Sequence, residues 1–186
     1  KRFTIMNKNK AFLLALPAIG AAFLAVLSQL SFSIGTIPIT LQTFAVGLIA
    51  TIFRTREAVL SVALYLLLGA IGLPVFAGGG AGFHILVGPS AGYLWAYLLF
   101  ALVTSSLTSK DSKFYTIFLA NLLGDALVFV GGVIGLHFLA NMEFSKAIAV
   151  GVTPFILPDL LKIVAITLIS IPMFRSVAFH SYFSDN

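Results

Sequence analysis

Residues 114–139 read FYTIFLANLLGDALVFVGGVIGLHFL, a run in which Asp125 is the single charged side chain. A helix crossing hydrocarbon needs about 20 mainly apolar residues. This stretch exceeds that length and lacks the alternation of polar and apolar residues that marks a barrel strand. It is read as a membrane-spanning helix with room to tilt or to bend at Gly131-Gly132. Five comparable runs flank it, at residues 11–30, 37–53, 58–75, 89–107 and 155–174. In lipid the backbone must satisfy its own hydrogen bonds, and long uninterrupted apolar runs do so as helices. The expected fold is an all-α membrane protein, one integral domain over residues 1–186 with six transmembrane helices.

Composition agrees. Of 186 residues 60% are hydrophobic and 9% are charged, and mean hydropathy is +1.09. A soluble domain carries about 25% charged residues, so a water-soluble globule is excluded. The chain has no cysteine, which excludes disulfide scaffolds and thiolate metal sites. The first run follows Lys1, Arg2, Lys8 and Lys10, as a secretory leader would. Its apolar stretch is longer than the about 7–15 residues of a leader's core, so it is read as a retained span.

Loop charge sets orientation. With the N-terminus cytoplasmic, that side holds Lys1, Arg2, Lys8, Lys10, Arg54, Arg56, Lys110, Lys113 and Arg175, and the opposite side holds Lys146. Both termini are therefore expected in the cytoplasm of a multi-pass cell-membrane protein. The net charge of +5 is a topology signal, and no basic groove interleaved with aromatics suggests nucleic acid.

The third connection, on the outer side, reads FAGGGAGFHILVGP over residues 76–89. Glycine allows positive φ and close backbone approach. The run suits a lid whose N–H groups face a ligand, and equally a tight apolar turn at the membrane surface. No Gly-Lys-Ser/Thr follows it and no Walker sequence occurs elsewhere, so ATP-driven work would fall to another subunit.

Asp159 and Lys162 open the sixth run. Pro158 suits a first helical turn, where a carboxylate is also favoured. Residues three apart share a helix face. The pair either pins the helix end as an interfacial ion pair or offers a ligand an acceptor beside a donor, and charges at membrane depth are functional candidates by default. A cyclic urea is complementary: its N–H donates to Asp159 and its carbonyl accepts from Lys162. Other small polar ligands fit too.

Asn121 and Asp125, four apart, share a face of the fifth helix and either line a cavity or hydrogen-bond between helices. His84 and His137 are isolated, with no metal-ligand spacing. Trp95, Tyr93 and Tyr97 read as an interfacial belt, with Tyr93 alternatively closing a pocket. Ala11-x3-Ala15, Ala18-x3-Ala22, Ala21-x3-Ala25 and Gly131-x3-Gly135 give flat strips for close helix packing.

Several of these pieces form an ordered set. Pro38-Ile39-Thr40-Leu41-Gln42-Thr43, Gly69-x2-Gly72-Leu73-Pro74-Val75-Phe76-Ala77-Gly78-Gly79, Gly88-Pro89-x2-Gly92-Tyr93 and Pro154-Phe155-x3-Asp159-x2-Lys162 resemble the BioY family, the biotin-specific substrate-binding (S) components of energy-coupling factor (ECF) transporters. The resemblance covers most of residues 37–162. It implies an S-component-like fold that captures biotin from outside and works with a transmembrane coupling subunit and two cytoplasmic ATPase subunits. It implies no catalytic residue, metal or cofactor. Asp159 and Lys162 would contact the ureido ring, and Gly78, Gly79 and Gly80 would cover the pocket. Tyr93, Gln42 and Thr40 would complete the ligand site, and Ala11 and Ala15 would dock on the coupling subunit. The sequence departs from the family at Ser90, where Thr is usual, at Ala91 beside it, and along the fifth span. No basic residue stands out for the valerate carboxylate, which backbone N–H groups of the glycine loop, helped by His84, can hold. Two alternatives remain open: an intramembrane aspartyl protease using Asp125 and Asp159, and a stand-alone secondary carrier.

Overall fold

The computed structural model describes residues 2–33, 37–177, 180 and 182. Lys1 lies outside the described residues, as do the side chains of Arg2, Lys8 and Lys10. The described residues are mostly helical: α1 (Arg2–Ser28), α2 (Gln42–Ile52), α3 (Thr55–Ala70), α4 (Ala91–Leu107), α5 (Phe114–Leu139), α6 (Phe144–Gly151) and α7 (Ile156–Val177). Three stretches are long and apolar enough to cross a membrane, Ala11–Ser28, Phe114–Leu139 and Phe144–Val177, and Gln42–Ile52 and Ala91–Leu107 are shorter apolar helices.

Two segments differ from the sequence expectation. The run expected as helix over 37–53 begins instead with a strand. β1 (Ser31–Ser33) pairs antiparallel with β2 (Pro38–Thr40), with Phe32 opposite Ile39. Pro38 has no N–H to donate, and the Thr40 hydroxyl accepts the Gln42 backbone N–H at 3.1 Å, a local bond that stops the helix from extending outward. Apolar counting is blind to both effects. The second difference is α6, an eight-residue helix in the connection between α5 and α7.

Small residues bring the bundle together. A Cβ added at Gly92 of α4 would collide with the Gly131 carbonyl of α5, and one at Gly135 would lie 2.9 Å from the Gly92 Cα. The two backbones touch, as small-residue spacing permits. The Tyr93 ring lies against Gly132 and the Phe100 ring against Gly124. Helix α5 runs unbroken through Gly131 and Gly132, so these glycines seat α4 rather than bend α5. On α1, Gly20 faces Ser61 of α3, while Ala11, Ala15, Ala18 and Ala22 lie on the exposed side. Exposed leucines and isoleucines such as Leu14, Leu119, Leu161 and Leu168 give the bundle the apolar exterior of a lipid-facing protein.

At the cytoplasmic end by the charge reading, the last described residue is packed inward. The Arg54 N–H donates to the Tyr182 hydroxyl at 2.8 Å, the Arg54 guanidinium to the Tyr182 carbonyl at 2.6 Å, and the Tyr182 hydroxyl to Glu57 at 3.1 Å. Burial pushes the Tyr182 phenol well above its ordinary pKa.

Candidate functional site

Residues of α2, α3, α4 and α7, with Ser28 of α1 and Thr40 of β2, form two joined polar clusters. The first is centred on Gln42, at the start of α2. Its side-chain oxygen accepts from the Thr40 hydroxyl at 2.9 Å and from Tyr97 at 3.4 Å, and its amide donates to Tyr65 at 2.7 Å. The Ser28 hydroxyl is committed to the Leu24 carbonyl at 2.6 Å. Tyr65 must therefore donate across the 2.9 Å contact to Ser28. This relay orders the side chains of α1, α2, α3 and α4 in one direction, and every member is buried. The second Gln42 amide proton has no hydrogen-bond partner among the described residues.

The second cluster begins one residue further on. The Thr43 hydroxyl donates to Asp159 at 3.2 Å and accepts from the Lys162 ammonium at 3.1 Å, while Lys162 and Asp159 pair at 2.5 Å. Asp159 sits in the first turn of α7, one turn before Lys162, as the three-residue spacing requires. Asp125 of α5 is buried as well. Tyr97, buried in α4, belongs to the first cluster through its contact with Gln42, and the chain step from Gln42 to Thr43 joins the two clusters.

A cleft of about 200 Å³ opens beside the first cluster, lined by Ile37, Pro38, Gln42, Phe76, Ala77, Ile85, Ser90, Tyr93 and Leu94. Its walls are chiefly apolar, with polar groups at Gln42, Ser90 and Tyr93, the composition of a small-molecule site. The sequence-derived residues thus divide. Gln42 and Tyr93 line the cleft, and Thr40 braces Gln42. Asp159 and Lys162 are not part of the lining and connect to it through Thr43, the neighbour of Gln42. Gly78, Gly79 and Gly80 belong to the adjoining loop and not to the lining.

That loop is firmly built. Gly78 and Gly79 have φ of 61° and 85°, so the tight turn uses glycine's permitted positive φ. The Gly79 and Gly80 N–H groups close turns onto the Phe76 and Ala77 carbonyls at 3.0 and 3.2 Å. Those two donors are therefore committed within the loop. Gln29, at the end of α1, holds the Pro74 carbonyl at 3.3 Å. His84 is exposed and does not line the cleft.

The aromatic residues also differ from expectation. Tyr93 and Tyr97 are buried and do not form an interfacial belt. Tyr93 donates to the Gly151 carbonyl of α6 at 2.7 Å. Trp95 donates to the Leu86 carbonyl at 2.9 Å, tying the loop after α3 to α4. Sequence reasoning missed the roles of Ser28, Tyr65 and Tyr97 in the relay, and of Thr43, which appeared only inside a quoted motif. The spacing of Thr43 before Gly47 and Thr51, four residues each, was the available signal for a polar face on α2.

Comparison with known proteins follows the geometry. The family model described as the BioY family matches residues 5–179. The biotin transporter BioY2 of Lactococcus lactis subsp. cremoris is 39% identical over 182 residues, covering 97% of this chain and all of the relative. The biotin transporter BioY of Thermotoga maritima is 39% identical over 150 residues, covering 81% of this chain and 88% of the relative. A crystal structure of the S-component for biotin from an ECF-type ABC transporter superposes with a TM-score of 0.86 at 27% identity, over 95% of this chain and 98% of that one. A family match across nearly the whole sequence, relatives at this identity and the shared backbone all point the same way: this chain belongs to the BioY family.

Proposed function

We propose that this chain is the biotin-binding membrane subunit of an ECF-type vitamin transporter, taking biotin from the outer side. The observation that carries the reading is the cluster of buried Asp159 with half-buried Lys162 and Thr43 at the start of α7. A buried ion pair is costly to desolvate, and a ligand that replaces its internal bonds with equivalent ones gains a specific seat. Biotin's urea offers such bonds. One N–H donates to Asp159 and the carbonyl accepts from Lys162, with Thr43 yielding its place. The apolar walls at Ile37, Pro38, Phe76, Ile85 and Leu94 accept the ring and the aliphatic chain. Gln42 lines the cleft one residue before Thr43, and its 3.4 Å contact with Tyr97 is the weakest of its bonds and the one to open on entry. The loop at Gly78, Gly79 and Gly80 covers the bound ligand, with the carboxylate toward its rim.

In this reading six crossings, supplied by α1–α5 and α7, place both termini in the cytoplasm. The exposed Ala11 and Ala15 of α1 face a transmembrane coupling subunit, which two ATPase subunits drive. Against the protease alternative, membership of a family of biotin transporters makes the chain a transport component and not an enzyme. Uptake into proteoliposomes on an ion gradient, with no ATPase present, would instead support a stand-alone carrier.

The test is equilibrium binding of radiolabelled biotin to the purified protein, with other vitamins as competitors. Biotin is expected to bind selectively. Asp159→Asn is expected to weaken it by about ten-fold or more, the scale of a lost charged hydrogen bond. Affinity equal to wild type in that variant sinks the site assignment, and absence of biotin binding by the wild type sinks the function.

A further inference from the structure

A second cleft, of about 320 Å³, lies at the far end of α7 from Asp159. It is lined by Lys110, Asp111 and Ser112 of the turn between α4 and α5, and by Ile171, Phe174 and Arg175 in the last turns of α7. The lining divides by chemistry. Ile171 and Phe174 form an apolar wall, while Lys110 and Arg175 set two positive charges against the single negative charge of Asp111. Arg175 forms no ion pair among the described residues, Asp111 included. The Ser109 N–H donates to the Ser112 hydroxyl at 2.9 Å, which closes the turn and holds Lys110 and Asp111 at its tip. Ser112 is followed by Lys113, the N-cap of the 26-residue helix α5, whose side chain makes no capping bond. First-turn N–H groups left in this way carry partial positive charge and favour an anion nearby.

We propose that this cleft binds one phospholipid of net charge −1, with its phosphodiester between Lys110 and Arg175 and its acyl chains along Ile171 and Phe174. Basic pockets between membrane helices on the cytoplasmic side suit phosphate headgroups, and loop charge assigns this end to the cytoplasm. A soluble anion shares the phosphate chemistry but has no use for the apolar wall, which a lipid covers with its own chains. Two cations and one carboxylate leave the lining with one net positive charge. That balances a single phosphodiester and disfavours headgroups of higher charge. The lipid ties the turn between α4 and α5 to the end of α7. The inference goes beyond the biotin reading and does not depend on it; the choice of leaflet alone rests on the proposed orientation.

The experiment titrates lipid onto the purified full chain in detergent and reads retention by native mass spectrometry. Phosphatidylglycerol, phosphatidylethanolamine and phosphatidylcholine of matched chains are compared. Micelles have no leaflets, so a reversed topology leaves the result unchanged. Phosphatidylglycerol is expected to bind in preference to the other two. Lys110→Gln and Arg175→Gln are each expected to weaken it by about five-fold, the worth of one cation near a membrane surface. Asp111→Asn is expected to strengthen it by about the same factor, a gain that misfolded protein cannot give. Arg56→Gln removes an exposed cation outside the cleft and is expected to change nothing. Equal losses in Arg56→Gln and Arg175→Gln point to a diffuse positive field and overturn the site, as does equal retention of the three lipids. Glycerophosphoglycerol, the same headgroup without chains, is the arm for a free anion, and displacement of the lipid by an equal concentration of it overturns the lipid assignment. Should both glutamine variants fail to fold, unchanged retention in Asp111→Asn overturns the proposal alone.

Discussion

Tyr65 is the midpoint of the relay that sets the cleft wall, accepting from Gln42 and donating to Ser28. Tyr65→Phe leaves a buried amide proton and a buried hydroxyl oxygen without partners, a cost of about 1–3 kcal/mol. Both the thermal midpoint in detergent and biotin affinity are expected to fall, since Gln42 loses its anchor. Tyr97→Phe deletes only a 3.4 Å contact and is expected to do less to stability. Equal midpoints for wild type and Tyr65→Phe would remove the relay from the account. At this scale the sequence was partly legible. Asp159 and Lys162 stand out because charge in an apolar run is expensive, and Gln42 and Tyr93 because they sit in recognisable motifs. Tyr65 and Tyr97 do not, because a buried tyrosine and an interfacial one look alike until the helix's rotation is known. Asp125 was visible for the same reason, but its burial in the bundle depends on how α5 is rotated, which no spacing rule encodes.

Among the elements, α4 and α5 form the most closely packed pair, with glycine backbones in contact and two aromatic rings seated on glycines. Gly132→Leu drives a side chain into the Tyr93 ring. Overpacking costs about 1–3 kcal/mol or more, and here it also strains the bond from Tyr93 to the Gly151 carbonyl. A lower midpoint by intrinsic fluorescence is expected, together with weaker ligand binding, while Leu161→Val on the exposed face of α7 leaves both unchanged. An undisturbed Gly132→Leu protein would contradict the close approach. Apolar run length located α1, α5 and α7 well. It missed the strand at Pro38–Thr40, decided by one missing N–H and one hydroxyl, and it missed α6, whose eight residues are too few for a span.

For the molecule as a whole, orientation rests on loop charge and can be read chemically, because the native chain has no cysteine. Asp111 and Ser145 are exposed at the two proposed ends. An impermeant maleimide added to intact cells is expected to label Ser145→Cys and to spare Asp111→Cys; the opposite pattern reverses the proposed topology. The hairpin before α2 carries a further consequence at this scale. Eleven helical residues rise about 16 Å, against a hydrocarbon thickness of about 30 Å. The proposed second crossing is therefore a composite, completed by the paired strands, whose own ladder satisfies backbone groups that lipid cannot. A straight helix answers a thicker bilayer by tilting, but this composite is fixed at a hairpin whose neighbours Ile37 and Pro38 form the cleft wall. In the proposed reading hydrophobic mismatch would bear on the mouth of the cleft, and ligand affinity measured in bilayers of increasing acyl-chain length is expected to change with thickness.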